Sequence, residues 1–280
     1  MKVIECPRDA MQGVQAFIPT SLKIEYLNAL LRIELDTLDF GSFVSPKAIP
    51  QMQDTAEVLR GLDLTDTTTR LLAIVANERG AQEACSHEPL TYLGFPLSLS
   101  ETFQQRNTNK TIEAAFETIS ATQALCSRHD KQLVVYLSMG FGNPYGDPYQ
   151  TEIVSEFAHR LDHMGVGIIS LADTVGLATG QEIKATLRSA IEEFPQMEVG
   201  AHLHASPDTV DEKVAAVIDA GCQRLDGALR GYGGCPMAKD ELIGNLPTER
   251  ILEIVASEAL TPAASEALQD AMALSAKVFA

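Results

Sequence analysis

The sequence predicts an α/β fold, specifically a closed (β/α)8 TIM barrel with one or more additional C-terminal helices. Eight short apolar, β-like runs alternate with helix-like segments from end to end of the 280 residues. No Pro- or Gly-rich linker interrupts this alternation, so we expect residues 1–280 to form a single domain. An open doubly wound sheet is the alternative, but the first strand–helix junction lacks the GxGxxG loop that is typical of such sheets.

Each predicted strand is a short run rich in aliphatic residues. The strands are 2–6, 35–40, 71–77, 91–98, 132–138, 166–172, 197–204 and 222–228. Amphipathic patterns predict a helix in most of the intervals and two more after the last strand. The helices are 21–31, 49–60, 78–86, 107–127, 149–164, 181–193, 207–220, 247–258 and 262–278. The stretches 207–209 and 245–248 carry residues that are typical of helix starts.

The composition is that of a soluble globular protein, with 45% hydrophobic and 21% charged residues. The net charge of −17 argues against nucleic acid or an anionic membrane as the main partner, but not against a small anionic substrate. Five scattered cysteines without CxxC spacing indicate free thiols in a reducing compartment. Met1 leads directly into the first strand, and no apolar run is long enough for a bilayer, so we expect a cytoplasmic protein.

Polar and ionisable residues cluster where the predicted strands end. In a (β/α)8 barrel these ends form one rim, which carries the catalytic residues. Any one of them is more often a helix cap or a loop hydrogen-bonding group, but their recurrence at corresponding positions indicates a functional rim. The residues are Arg8, Asp9, Asp39, Ser42, Glu101, Asp173, His202, His204, Cys235 and Asn245.

The stretch GAHLHA, residues 200–205, holds two of the six histidines of the chain. In a strand, His202 and His204 point to the same face. They are either two buried histidines satisfied by hydrogen bonds or two ligands of one ion. With the Asp9 carboxylate and the Asn245 amide oxygen, they form a mixed N/O set that suits Mg²⁺, Mn²⁺ or Co²⁺. The set contains no thiolate, which argues against a structural zinc site.

A series of motifs runs through nearly the whole chain in a fixed order. The motifs are PRD (7–9) with Gln12, GSFVSPKAIPQM (41–52), SETFQQRNTNKTIE (100–113), NPYG (143–146), SLADTVG (170–176), HLH (202–204), and GGCPMA with GN in 233–245. Together they resemble the motifs of 3-hydroxy-3-methylglutaryl-CoA (HMG-CoA) lyases, which belong to the DRE-TIM metallolyases. The second and last motifs are typical of the lyases, whereas Claisen-condensing relatives carry a different loop after strand 8.

The resemblance implies a metal-dependent enzyme that cleaves HMG-CoA to acetyl-CoA and acetoacetate by a retro-Claisen reaction. The bound ion would be Mg²⁺ or Mn²⁺, with Zn²⁺ or Co²⁺ also compatible, and it would bind the substrate's hydroxyl and another oxygen. Its implied ligands are Asp9, His202, His204 and Asn245. Arg8 matches the family's essential arginine and would stabilise the acetyl-CoA enolate. Cys235 matches the loop cysteine and would act as acid or base, although by itself it is more often a cysteine without chemistry.

Further roles are implied around this centre. Asp39, Glu101 and Asp173 join the catalytic set by orienting ligands and water. The implied substrate contacts are Gln12, Ser42 and Asn107. The partner is an acyl-CoA substrate, and the family suggests a homodimer.

The chain departs from the family pattern at five positions. Ala10 replaces a glycine, Asp39 a glutamate and Asn143 a cysteine. The other two departures, Ala205 and Pro207, follow the histidine pair. After its histidine pair the family reads Asp-Thr-Tyr-Gly. None of these changes removes a predicted metal ligand. A same-fold lyase or aldolase acting on a different 3-hydroxyacyl-CoA or a 2-oxo acid is therefore the first alternative. A catalytically silent barrel that serves as a binding module is the second.

Overall fold

A computed structural model describes residues 1–234, 243–255 and 260–280. Eight parallel strands form its centre, at or within a few residues of the predicted positions. They are β1 (Lys2–Glu5), β2 (Thr37–Ser42), β3 (Arg70–Ile74), β4 (Leu90–Ser98), β5 (Gln132–Ser138), β6 (Ile168–Asp173), β7 (Glu198–Ala205) and β8 (Arg224–Gly227). Each strand pairs with the next, and β8 pairs with β1, so the sheet closes into the predicted TIM barrel.

Eleven α-helices are described around and after these strands. They are α1 (Pro7–Gln12), α2 (Thr20–Leu31), α3 (Thr55–Arg60), α4 (Glu78–Cys85), α5 (Glu101–Thr108), α6 (Ile112–Arg128), α7 (Thr151–His163), α8 (Gly180–Glu193), α9 (Val210–Asp219), α10 (Thr248–Val255) and α11 (Pro262–Val278). Among the helices in these ranges, none is both long enough and apolar enough to cross a membrane.

Two hydrophobic clusters hold the barrel together. The larger one fills the layer between the strands and the helices, where Leu93 and Leu187 are fully buried. The smaller one lies among residues of β3, β4, β5 and β6 that include Ile74, Val134 and Tyr136. This division follows from strand geometry, because alternate side chains of a barrel strand face the interior and the surrounding helices.

The predicted helix 107–127 is wrong at its start. The structure has two helices there, α5 and α6. Asn109 separates them in the left-handed conformation, with φ of 54°, which ends α5. Thr111 then caps α6, its side chain accepting a hydrogen bond from the backbone of Ala114.

The predicted helix 49–60 is also divided, into a short 3-10 turn at Pro50–Met52 and then α3. The cap predicted at 207–209 is displaced as well. Thr209 precedes α9 without a side-chain capping bond, and Ser206 bonds to Asp208 instead.

The additional C-terminal helix is present as α11. It packs on α2, where the rings of Tyr26 and Phe279 meet edge to face with centroids 6.2 Å apart.

A short ninth strand, β9 (Gly244–Asn245), was not predicted. It pairs antiparallel with the end of β7, bringing Asn245 opposite His204.

Candidate active site and metal centre

Helix α1 carries three polar side chains at the carboxyl end of β1. Pro7 occupies its first turn, a position where the missing N–H costs nothing. Helical spacing then brings Gln12 beside both Arg8 and Asp9. Gln12 Nε2 donates to Asp9 Oδ1 at 2.8 Å, and Arg8 Nη1 donates to Gln12 Oε1 at 3.1 Å. The short helix thus holds the Asp9 carboxylate in one orientation.

The two histidines of β7 converge with Asp9. Their rings lie on the same side of the strand, with centroids 5.4 Å apart. One ligand atom from each of Asp9, His202 and His204 lies within 4.8 Å of the others. Ligands about 2.0–2.2 Å from one ion lie within about 4.4 Å of one another, so three atoms this close can share a single ion after at most a small shift.

Hydrogen bonds to the far side of each ring select the tautomer that a metal requires. His202 Nδ1 lies 3.1 Å from Asp226 Oδ2, and His204 Nδ1 lies 3.0 Å from the backbone oxygen of Thr174. A carbonyl oxygen and a carboxylate only accept, so both Nδ1 atoms carry the proton. The lone pair of each ring is therefore on Nε2, the arrangement common to metal-bound histidines.

The unsatisfied atoms of the site fit a cation. His204 is 4% exposed, and its Nε2 has no hydrogen-bond partner among the described residues. A buried lone pair without a donor is costly unless an ion takes it. Together with the anionic Asp9, this atom makes the cluster suitable for a divalent metal.

Asn245 joins the same cluster from β9. Its Nδ2 donates to Asp9 Oδ2 and to the backbone oxygen of Tyr232, both at 2.9 Å. The loop after β8 approaches closely, and a Cβ on Gly233 would lie 2.7 Å from Asn245 Nδ2 and 2.9 Å from Ala10 Cα. With φ of +92°, Gly233 also has a backbone conformation that disfavours other residues.

Arg8 is a buried cation held on two sides. Its Nη2 lies 2.5 Å and its Nε 3.1 Å from Asp39 Oδ2, and its Nη1 lies 3.2 Å from Asp9 Oδ1. Burial alone would lower the pKa of Arg8, but Asp39 and Asp9 raise it above its ordinary value. Burial raises the pKa of Asp39 to about 6, against the opposing effect of Arg8. The guanidinium is therefore a fixed positive charge next to the candidate metal ligands.

The candidate ligands perturb one another's protonation. Burial raises the pKa of Asp9, but Arg8 and the two histidines outweigh it and the net shift is downward. Burial lowers the pKa of His202, and the bond to Asp226 reverses this to a net rise. The pKa of His204 is lowered by burial and by His202. Asp9 and His204 are therefore in their metal-binding protonation states near neutral pH.

The remaining predicted site residues have diverse surroundings. Ser42 is buried and donates to Ile74 O at 3.2 Å. Glu101 and Asn107 are exposed on α5, and Glu101 accepts from the backbone of Ile112 at 3.0 Å. Their roles, like those of the residues above, stay predictions.

Asp173 ends β6 and binds Lys213, with 2.7 Å between its Oδ2 and the ammonium. Its role as a catalytic residue also stays a prediction. Cys235 lies outside the described residues.

Sequence reasoning missed Asp226 and Cys6. Both lie near His202, and one ligand atom from each of the three falls within 4.8 Å of the others. A signal for Asp226 was present, because it is a carboxylate inside the predicted strand 222–228. The acceptor for His204, Thr174, acts through its backbone oxygen and leaves no trace in the sequence.

A family model described as HMGL-like matches residues 4–278. A rat protein named 3-hydroxy-3-methylglutaryl-CoA lyase, cytoplasmic, is 34% identical over 258 residues, covering 90% of this chain and 73% of the relative. A Pseudomonas aeruginosa protein named 3-hydroxy-3-isohexenylglutaryl-CoA/hydroxymethylglutaryl-CoA lyase is 30% identical, covering 89% of this chain and 82% of the relative.

The fold also matches solved structures. An HMG-CoA lyase from Acinetobacter baumannii, solved with coenzyme A and 3-methylmalate, aligns with a TM-score of 0.88 at 27% identity. The alignment covers 99% of this chain and 91% of the other. The resemblance noted from the motifs is thereby confirmed along almost the whole chain.

Proposed function

The chain belongs to the HMGL-like family of lyases, and on that premise we propose that it cleaves HMG-CoA to acetyl-CoA and acetoacetate by a metal-dependent retro-Claisen reaction. The observation that carries the proposal is the convergence of Asp9, His202 and His204 beside the buried cation Arg8. Residues 1–280 would act as one catalytic domain, which the extent of the family match supports.

The metal would be held by Asp9, His202, His204 and Asn245. Mg²⁺ or Mn²⁺ suits this N/O set best, and Zn²⁺ or Co²⁺ is compatible with it. When bound, the ion supplies Lewis acidity to the substrate's oxygens. The protein's own contribution is to hold both imidazoles in the Nδ1–H tautomer and to keep Asp9 ionised.

Arg8 would stabilise the negative charge that develops on the thioester when the carbon–carbon bond breaks. A cation that is already fixed requires no reorganisation at that moment, which is the main source of electrostatic catalysis. Asp39 supports it by accepting two of its N–H groups. Asp39 therefore acts on the reaction through Arg8.

The substrate's hydroxyl gives up its proton when the carbon–carbon bond breaks, and the enolate must then take up a proton. We assign this step to Cys235 on the glycine-rich loop, following the family motif. The described part of that loop contains Gly231, Gly233 and Gly234, all with positive φ. We also assign the orientation of substrate and water to Gln12, Ser42, Glu101, Asn107 and Asp173.

Ala205 supports a second candidate, a lyase for a related 3-hydroxyacyl-CoA with a larger 3-substituent. This alanine, next in sequence to the candidate ligand His204, replaces the aspartate that the family has after its histidine pair, and it is buried in the layer between the strands and the helices. The P. aeruginosa relative carries a name that includes both HMG-CoA and its isohexenyl analogue. A silent barrel is disfavoured because all four predicted metal ligands are retained.

We further propose a cytoplasmic homodimer that binds acyl-CoA and no nucleic acid. The net charge of −17 supports the exclusion of nucleic acid, and the cytoplasmic name of the rat relative supports the location. The homologue solved with coenzyme A supports the acyl-CoA partner, and the homodimer follows the family resemblance.

The two candidate substrates can be separated by kinetics. The purified protein with Mn²⁺ is given HMG-CoA and 3-hydroxy-3-isohexenylglutaryl-CoA, and acetyl-CoA release is measured for each. The primary proposal predicts the higher kcat/KM for HMG-CoA, and an Ala205→Asp variant tests whether this position sets the ratio. Release of acetyl-CoA from neither thioester would refute both candidates.

A further inference from the structure

Lys213 lies on α9, where its side chain is 3% exposed, although lysine is rarely buried. Its Nζ donates to three oxygens: Asp173 Oδ2 at 2.7 Å, Gly176 O at 2.9 Å and His204 O at 2.7 Å. An ammonium has three N–H groups, so the buried charge is fully satisfied. The three acceptors belong to two separate segments: the end of β6 with the loop that follows it, and the end of β7.

These two segments are the ones that hold His204. The end of β7 carries its backbone, and the loop after β6 carries Thr174 O, which accepts the ring's Nδ1–H at 3.0 Å. If the two segments moved relative to each other, the ring would lose its acceptor and Nε2 would turn away from Asp9. Lys213 joins them with one ammonium group.

The loop after β6 is itself fastened to the same ion pair. Asp173 accepts from the backbone N–H of Leu177 and of Ala178, both at 3.1 Å, besides binding Lys213. Gly176 packs against Ile243, the residue before β9, since a Cβ on Gly176 would lie 2.4 Å from Ile243 Cγ2. The Lys213–Asp173 ion pair therefore lies where β6, β7 and α9 meet, in contact with the backbone oxygen of His204.

We propose that Lys213 is a positioning residue of the metal centre, which fixes the imidazole of His204 by tying its backbone to the loop that accepts its Nδ1–H. Lys213 does not contact the metal or the substrate. The inference depends on the metal assignment of the proposed function but not on the reaction, so it is tested by metal binding alone.

The experiment compares Mn²⁺ binding, by isothermal titration calorimetry, in the wild type, Lys213→Met and Lys213→Gln. Lys184→Met is the matched control, since Lys184, on the neighbouring helix α8, makes an exposed ion pair with Asp219 of α9. The double variant Lys213→Met/Asp173→Asn leaves no unpaired buried charge and keeps the test valid if the single variants unfold. All titrations are run well below the melting temperature of each variant.

We expect the Lys213 variants and the double variant to bind Mn²⁺ about 10- to 100-fold more weakly, the usual effect of removing the support of a metal ligand. Lys184→Met should bind as the wild type does. Nitrogen NMR of labelled histidine should show His204 as one tautomer, Nδ1–H, in the wild type and as a mixture in Lys213→Met.

Two results would overturn the inference in different ways. Wild-type Mn²⁺ affinity in the folded Lys213 variants, with only the melting temperature lowered, would make Lys213 a purely structural residue. Failure of the wild type to bind Mn²⁺ would refute the metal centre itself. Mn²⁺ binding that depends on Lys213 in a protein without lyase activity would leave the inference standing while refuting the proposed reaction.

Discussion

His202 Nδ1 lies 3.1 Å from Asp226 Oδ2, across the pairing of β7 with β8 that places these two residues opposite each other. The Asp226 side chain is fully buried, and its Oδ1 has no partner among the described residues. This contact keeps the ring's proton on Nδ1, which leaves the lone pair on Nε2, and it raises the pKa of His202 above its ordinary value of 6.5. Two consequences of the contact are open to measurement.

Asp226→Asn should weaken Mn²⁺ binding about 10- to 100-fold at about pH 8, because the asparagine no longer enforces one tautomer of His202. The variant should also shift the pH dependence. A raised histidine pKa means that the metal must displace a proton at neutral pH, so wild-type affinity falls about tenfold per pH unit below that pKa. In Asp226→Asn, which lacks this carboxylate, the decline of Mn²⁺ affinity should begin at a lower pH than in the wild type.

The Asp226 prediction is checked by calorimetric titration with Mn²⁺ from about pH 6 to 8.5, with the exposed Asp219→Asn as the control. An unchanged onset of the decline in Asp226→Asn would contradict the assignment of the pKa rise to this carboxylate.

Asp39→Asn should lower kcat about 100-fold while leaving Mn²⁺ affinity within a fewfold of the wild type. The asparagine cannot hold Arg8 with a charge-assisted pair of hydrogen bonds, so the guanidinium loses its fixed position next to the developing enolate. The matched control is Asp36→Asn. Asp36 lies directly before β2, and the change breaks its ion pair with Arg70 at the start of β3. Steady-state kinetics that show equal kcat in both variants would remove Asp39 from the catalytic machinery.

Cys235→Ala should reduce turnover by orders of magnitude and leave the metal content unchanged, if this thiol transfers the proton to the enolate. Metal content is read by elemental analysis and turnover by acetyl-CoA release. Cys85→Ala is a suitable control, because Cys85 is buried at the end of α4. Full activity of Cys235→Ala would refute the acid/base role.

The free energy of unfolding of Glu5→Gln, measured relative to that of the wild type, should increase as the pH rises. Burial raises the pKa of Glu5 from its ordinary 4.5 to about 8, although Thr248 and Leu229 donate hydrogen bonds to it. Between these values the folded chain keeps a proton that the unfolded chain releases. Wild-type stability should therefore fall with increasing pH by roughly 1.4 kcal/mol per unit.

Glutamine does not titrate, so Glu5→Gln should not show this fall in stability with increasing pH. Urea denaturation at about pH 5, 6.5 and 8 measures the difference, with the exposed Glu25→Gln as the control. Parallel stability curves for the wild type and Glu5→Gln would show that Glu5 does not titrate in this range.

The barrel strands were predictable because their apolar runs are strong local signals. Helix α11 was predicted at its observed bounds, since Pro262 marks its start and seventeen residues establish its periodicity. Helix α1 was missed because six residues are too few for a periodic pattern. The division at Asn109 depends on one left-handed residue, a conformation that many asparagines do not adopt.

The convergence of His202 and His204 was predictable from the alternation in HLH, while the residues that support the two rings were not. Lys213 occupies a helix of ordinary amphipathic pattern, and only the tertiary structure shows that its ammonium is buried against Asp173. Asp226 gave a weak signal as a charge inside a strand. Thr174 gave none, because its contribution comes from a backbone oxygen.

Metal-dependent cleavage of HMG-CoA tests the central claim most directly. The protein is stripped with EDTA, and acetyl-CoA and acetoacetate are quantified with HMG-CoA before and after Mn²⁺ or Mg²⁺ is restored. The account predicts no products in the stripped protein and equimolar acetyl-CoA and acetoacetate once metal is present. The absence of both products from a folded, metal-loaded protein, or equal turnover with and without metal, would contradict it.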